Sequence, residues 1–269
     1  MKVLFIGDIV GASGQTAIQH FLPILKKQYR PQVTIANGEN LADGRGITEK
    51  LYKWLLSQGV DCVTLGNHAF DHRDIHQFIH EATCLVRPAN YPSETPGKGV
   101  HYIRVNQVEL AVVNLLGNVF MNASQDVFQF MRQQLDAIRE RTPHIIIDFH
   151  AEATSEKQAL AYFLDGKVSA VIGTHTHVQT NDARILPKGT AYMTDVGMTG
   201  ALESVIGFRK EEVIQRFVTQ LPVRLEPQVS QETVLSAVVL DLDNKTGKAT
   251  HIQSLYITPK TLAQLKIER

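Results

Sequence analysis

Cysteine is scarce in this chain, with Cys62 and Cys84 the only two among 269 residues. A disulfide framework is not indicated, and Cys62, inside an apolar run, reads as a small buried thiol. Net charge is missing as well, because 27 basic and 27 acidic residues cancel. That balance gives no broad electrostatic footprint for a long polyanion, although it is compatible with a local basic pocket. No apolar run reaches the roughly 20 residues of a membrane span. The chain opens on a strand pattern rather than a basic segment with an apolar core, so no secretory signal is visible. The expected location is cytoplasmic, away from membranes. Asn122-Ala123-Ser124 matches a glycosylation triplet, which without a secretory signal reads as coincidence. Repeats and low-complexity tracts are absent too.

What is present is the composition of an ordinary soluble protein, 43% hydrophobic and 20% charged. Val3–Ile6, Val33–Ala36 and Val63–Leu65 read as strands. Ala17–Tyr29, Thr48–Gln58 and residues 74–82 read as the helices between and after them. This order implies right-handed crossovers and a parallel sheet. Arg87–Gly99, with three prolines and two glycines, must be an irregular loop. Tyr102–Val105 and Glu109–Leu115 form a hairpin pattern. A helix over residues 124–141, strand His144–Phe149, helix Ser155–Leu164, strand Ala170–Gly173 and short strand Tyr192–Asp195 follow. Residues 198–230 alternate little and are expected to form a cap, lid or oligomer contact. Val234–Asp243 and His251–Ile257 return to antiparallel strand character. No linker divides residues 1–269. The expected architecture is a single α/β domain, a two-sheet mixed β-sandwich flanked by helices.

Five apolar runs end on residues that bind metals. Lys2–Asp8 ends at Asp8, Val33–Asn40 at Glu39 and Asn40, and Cys62–His68 at Asn67 and His68. His144–His150 ends at His150, and Ala170–His177 at His175 and His177. Parallel strands gather ligands outside their carboxyl ends, so these scattered residues can converge on one dinuclear metal centre. Each has a plainer reading. Asp8 suits a helix N-cap, Gly66-Asn67 suits a turn, and His175 and His177 suit a hydrogen-bonded loop. Gly7 and Gly38 precede the carboxylates and would let backbone and metal approach closely. Asp148 shares a strand face with His150, which fits either orientation of that ligand or a buried pair with an Arg or Lys.

Other features point elsewhere less strongly. His72, His76 and His80 have helical spacing and read as one solvated face rather than a metal site. Gly7, Gly11 and Gly14 lack the Gly-Lys-Ser/Thr of a phosphate loop. His72-Arg73-Asp74 stands without the rest of a kinase set, and Ser13 and Ser155 lack a nucleophile elbow. Phe70, Arg87 and Lys98 fit substrate contact or loop packing equally.

GD (Gly7-Asp8), GEN (Gly38–Asn40), GNH (Gly66–His68), DFHAEATSEK (Asp148–Lys157) and GTHTHVQT (Gly173–Thr180) resemble the calcineurin-like metallophosphoesterase superfamily. Longer stretches, RPANYP (Arg87–Pro92), TPGKG (Thr95–Gly99), ILPKGTAYMTDVGMTG (Ile185–Gly200) and LPVRL (Leu221–Leu225), resemble its bacterial YmdB-type branch nearly end to end. Two departures from the superfamily pattern stand out: Asp8-Ile9-Val10 lacks the usual histidine, and Gly38-Glu39-Asn40 replaces the usual Gly-Asp-x-x-Asp. The resemblance implies that Glu39 bridges two metals. Asp8, Asn40 and His177 would complete one position, and Asn67, His150 and His175 the other. Iron or manganese is favoured, in divalent or mixed-valence form, and zinc also fits.

The implied activity is hydrolysis of 2′,3′-cyclic nucleotides, and of other phosphodiesters, by a metal-bridging hydroxide. His68 is the candidate acid for the departing ribose oxygen. The implied partner is a small cyclic nucleotide, with RNA ends and a homo-oligomer also compatible. Two alternatives remain at this point: a phosphomonoesterase or nuclease on the same centre, and a regulatory cyclic-nucleotide-binding or scaffold protein.

Overall fold

Strand residues in this chain are apolar on both faces, the pattern of sheets covered on each side. The computed structural model describes residues 1–121 and 125–265. The Asn122–Ser124 triplet and the first residue of the helix expected from position 124 lie outside them. The first third of the chain holds β1 (Lys2–Ile6), β2 (Asp8–Ile9), α1 (Gly11–Tyr29), β3 (Val33–Asn37), α2 (Glu49–Ser57), β4 (Cys62–Thr64), α3 (Ile75–Phe78) and β5 (Leu85–Val86). The middle holds β6 (Val100–Val105), β7 (Val108–Leu116), α4 (Val127–Arg141), β8 (Ile145–His150), α5 (Thr154–Phe163), β9 (Ala170–Thr174), β10 (Arg184–Ile185) and β11 (Ala191–Met193). Last come β12 (Met198–Ala201), α6 (Lys210–Thr219), β13 (Thr233–Leu242), β14 (Ala249–Ile257) and α7 (Pro259–Leu265).

Two mixed sheets result. One runs β2-β12-β13-β1-β3-β4-β5, with β14 paired to β13. Its strands β1, β3, β4 and β5 are parallel, and β13 lies antiparallel to β1. The other runs β10-β11-β9-β8-β7-β6, with β7, β8, β9 and β11 parallel and antiparallel edges. Period-two alternation sorts each strand between layers. Val3, Phe5, Val33 and Ile35 meet Leu110, Val112, Ile146 and Ile172 between the sheets. Leu4, Ile6, Ala36 and Val63 instead pack with Ile18, Phe21, Leu22 and Leu25 of α1. Val113, Ile145, Ile147 and Val171 pack with Met131, Leu135 and Leu160 of α4 and α5. The result is the expected helix–sheet–sheet–helix sandwich, and the parallel strands of both sheets deliver their carboxyl ends to one edge.

Several boundaries differ from the sequence reading. α1 starts at Gly11, six residues earlier than the apolar spacing indicated, because its first turn packs small residues (Ser13, Gly14) in place of large ones. The helix expected over 74–82 contracts to Ile75–Phe78. His72, His76 and His80 therefore share no helix face. Residues 198–230, read as nearly patternless, contain β12 and α6. β12 is too short and too glycine-bearing to show a period. On α6, Ile214, Phe217 and Val218 are exposed, so its apolar residues do not mark a buried stripe. No described helix is long and apolar enough to cross a membrane.

Candidate active site

Each candidate ligand sits where a strand has just ended or is ending. Asp8 follows β1 at the start of β2, Glu39 and Asn40 follow β3, and Asn67 and His68 follow β4. His150 closes β8, and His175 and His177 lie just past β9. Asp8 is not the helix N-cap, since Val10 occupies that position without a side-chain bond. Its carboxylate is buried, with Oδ2 accepting from the His175 backbone N–H at 3.1 Å.

His150 is the hub of the cluster. Its Nε2 lies 2.8 Å from Glu39 Oε1, 3.0 Å from Asn67 Oδ1 and 3.0 Å from His175 Nδ1. Asp8 Oδ1 is 3.8 Å from His150 Nδ1 and 4.0 Å from His177 Nε2. Ligand-type atoms of Glu39, His150 and His175 all lie within 4.8 Å of one another. Asn40 lines the same cleft, its amide nitrogen donating to Gly44 O at 3.0 Å. All seven candidate ligands thus converge. Asp8 Oδ1 and Asn40 Oδ1 are buried without a hydrogen bond. Such atoms are costly to strand, and a cation would satisfy both.

Electrostatics favour the same reading of the donor set. Burial drives the carboxyls of Asp8 and Glu39 up to about 7, with neighbouring histidines pulling each back down. Burial likewise drives His150 and His175 down to about 3. Their imidazoles are therefore neutral near pH 7 and keep a lone pair for a metal. Two buried carboxylates with two neutral imidazoles and two amide oxygens suit first-row divalent metals.

A buried network fixes which nitrogen of His150 faces the site. The Thr174 hydroxyl donates to Asp148 Oδ1 at 2.6 Å, so its oxygen accepts from His150 Nδ1 at 2.9 Å. Nδ1 then carries the proton and Nε2 the lone pair. Asp148 Oδ2 also accepts from Thr64 and from Asn37 Nδ2, tying the two sheets together under the site. Asp148 pairs with no arginine or lysine among the described residues, and it orients the His150 ring through Thr174. The buried cation nearby, Lys157, instead donates to Thr174 O at 2.8 Å and Asp195 Oδ2 at 2.7 Å. Asp195 also accepts from the Thr176 and Gly197 backbone. This clamp holds a loop whose His175 and His177 take φ of 102° and 65°, conformations that non-glycine residues adopt at a cost.

His68 stands at the cleft wall rather than among the ligands. Its backbone N–H donates to Glu39 Oε2 at 3.0 Å, and its Nδ1 lies 2.6 Å from Asp71 Oδ2. An ionised carboxylate only accepts, so Nδ1 holds its proton there and Nε2 is the nitrogen open to exchange. The cleft, about 280 Å³, is lined by Glu39, Asn40, Arg45, His68, Glu152, His175, His177, Ile206 and Phe208.

Sequence reasoning missed several of these partners. Asn37, Thr174 and Asp195 also stand at or near strand ends, but each is followed within three residues by a more obvious ligand type or by glycine, and drew no notice. Asp71 follows His68 by three residues, a spacing that could have drawn attention to it. Glu152, 3.1 Å from His175 Nε2, was within reach through its place two residues after His150. The glycine expectation needs correcting. An added Cβ on Gly7 would strike the Gly197 carbonyl, and one on Gly38 would strike Val63. Gly66 is the glycine against the site, where a Cβ would run into the His150 ring and the Glu39 carboxylate. Arg87 spends its guanidinium on the carbonyls of Pro88, Ala89, Thr95 and Pro96, and Phe70 packs against His76 and Tyr91.

A family model described as "YmdB-like protein" matches residues 4–255. Over 257 residues the chain is 51% identical to the 2′,3′-cyclic-nucleotide 2′-phosphodiesterase of Bacillus subtilis, covering 96% of this chain and 97% of that protein. Among solved structures it resembles a hypothetical protein from Thermus thermophilus, with TM-score 0.89, 41% identity and coverage of 96% and 99%. It also resembles a novel phosphatase from Mycoplasma pneumoniae, with TM-score 0.90, 33% identity and coverage of 98% and 96%.

Proposed function

This chain belongs to the YmdB-like family, and from that premise we propose that it is a metal-dependent phosphodiesterase that opens 2′,3′-cyclic nucleotides at a dinuclear centre. The observation that carries this reading is the convergence of Asp8, Glu39, Asn40, Asn67, His150, His175 and His177, with two buried oxygens left unbonded. Asp8, Glu39, Asn40 and His177 would hold one ion. Glu39, Asn67, His150 and His175 would hold the other, and iron, manganese and zinc all suit this mixed donor set. When bound, such ions supply a nucleophile from water at neutral pH and neutralise charge on the phosphoryl oxygens.

The protein's own groups do the rest. Glu39 Oε2 accepts from the His68 backbone N–H at 3.0 Å, which holds the carboxylate in place before a cyclic phosphate enters the cleft. As water adds to phosphorus and the bond to the ribose 2′-oxygen breaks, that oxygen gains negative charge. His68 Nε2 donates a proton to it, with the contact from Nδ1 to Asp71 holding the ring in place. The product is a 3′-phosphate, and His68 regains its proton from solvent. The small cleft matches a mononucleotide-sized substrate.

The test is a substrate panel on Mn²⁺- or Fe²⁺-loaded protein: 2′,3′-cyclic nucleotides, nucleoside monophosphates and single-stranded RNA. Fastest turnover of the cyclic nucleotides supports the proposal. Preferred cleavage of monophosphates or RNA would move the assignment to a phosphomonoesterase or nuclease. Tight binding with negligible turnover would make the protein a sensor.

A further inference from the structure

Val205 and Phe208 exchange both of their backbone hydrogen bonds, 3.0 Å each way. Ile206 and Gly207 are thereby the two central residues of a tight hairpin turn. Both have positive φ, 49° and 97°, the signature of a type I′ turn, which asparagine, aspartate or glycine ordinarily occupies. Gly207 fits that requirement. Ile206 does not, since a β-branched residue at positive φ is a genuine outlier.

The core does not explain the choice of isoleucine. Ile206 is 46% exposed, and its side chain lines the cleft together with the half-buried ring of Phe208. The mount is rigid on every side. Gln228 N–H donates to Gly207 O at 2.8 Å, Gly207 N–H to Ser204 Oγ at 3.1 Å, and Arg209 N–H to Glu226 O at 3.0 Å. The Ile206 carbonyl accepts from His177 Nδ1 at 2.8 Å, so the turn is keyed directly to a candidate metal ligand. A strained, exposed isoleucine held at fixed register with the half-buried Phe208 ring, beside the candidate metal cluster, points to an apolar ligand surface next to the phosphate.

We propose that Ile206 and Phe208 form the platform on which the substrate's nucleobase packs, while the phosphodiester sits over Glu39, His150 and His175. This rests on the reading of the cleft as a phosphodiesterase site. Packing of this kind uses the π-face that every base has, so it separates nucleotides from base-free sugar phosphates and hardly separates one base from another.

The experiment compares adenosine 2′,3′-cyclic phosphate with methyl ribofuranoside 2,3-cyclic phosphate on Mn²⁺-loaded wild-type, Ile206→Asn and Phe208→Ala proteins. The readout is the ratio of kcat/KM between the two substrates on the same protein, in which effects on the metal site common to both cancel. In the wild type the nucleotide should be preferred by on the order of tenfold or more, and the ratio should fall toward one in both variants. Ile206→Asn suits the turn, so its Tm should equal or exceed that of the wild type, separating loss of the platform from loss of the fold. A wild-type ratio near one, or a ratio unchanged in Ile206→Asn, would overturn the proposal. Calorimetric binding of adenosine 3′-phosphate against methyl ribofuranoside 3-phosphate gives the same comparison without turnover. If no cyclic phosphate is hydrolysed, the phosphodiesterase reading falls, and the binding ratio still decides for or against the platform.

Discussion

The hydroxyl of Thr174 donates to Asp148 Oδ1 at 2.6 Å, and this one bond determines how His150 presents itself to the cleft. With its only proton committed, Thr174 can only accept from His150 Nδ1, which leaves Nε2 with the free lone pair. Thr174→Val should therefore retain the fold but loosen the imidazole. Metal affinity should drop by about 10- to 100-fold, as measured by competition with a chelating dye. Unchanged affinity would mean that the network does not orient His150.

Asp8→Asn and Glu39→Gln should each remove metal content and activity together. Both carboxylates are buried in direct contact with the histidine cluster. An amide keeps the size and loses the charge that binds a cation. Metal analysis of the purified variants, with turnover assayed on the same samples, checks this; a variant with full metal content would remove that residue from the ligand set.

His68→Ala should keep its metals and lose roughly 10²- to 10⁴-fold in turnover of cyclic nucleotides. A nitrophenyl phosphodiester should be much less affected, because its leaving group needs little protonation. Asp71→Asn should reproduce part of the loss, since the ring loses the carboxylate that holds it at Nδ1. Equal losses on both substrates would argue against His68 as the acid.

Metal binding should stabilise the fold more at pH 8 than at pH 5.5. In the metal-free protein Asp8 and Glu39 rise from 3.8 and 4.5 to about 7. Within that window the folded state binds more protons than the unfolded one, so their contribution to stability falls as pH rises. His150 and His175, lowered from 6.5 to about 3, contribute in the opposite direction across their own window. Above pH 7 the carboxylates are buried anions, and a divalent cation relieves that cost. The rise in Tm with Mn²⁺, measured by calorimetry, should therefore be larger at pH 8; equal shifts at the two pH values would contradict the burial argument.

Lys157→Met should cost about 3–5 kcal/mol, because it leaves the buried Asp195 carboxylate unpaired. The pair is fully enclosed and also holds the Thr174 carbonyl. Urea denaturation measures the loss, and a change below about 1 kcal/mol would show that the clamp contributes little.

Strand existence was legible in the sequence wherever apolar runs were long enough, as at β1, β3, β8 and β13. The lone two-residue β2, β5 and β10 were not, since no period shows over two residues. α3 was over-read because His72 through Ala82 keeps helical spacing while its chain turns out of helix after Phe78. Asp8, Glu39, Asn67, His150 and His175 were visible as strand endings. Thr174 and Asp195 were not, because their roles come from distant residues, Asp148 and His150 for one and Lys157 for the other; Asp71, three residues after His68, was within reach.

By itself the sequence determined the layered α/β architecture and the candidate residues, because apolar periodicity and strand termini are local properties of the chain. Only the tertiary structure decided which atoms meet. It brought Asp148 of one sheet to Asn37 and Thr64 of the other, left Nε2 of the buried His150 with the lone pair that faces the cluster, and set Ile206 at the cleft wall. Those relationships join residues far apart in sequence, and close packing, not local preference, sets the distances between them.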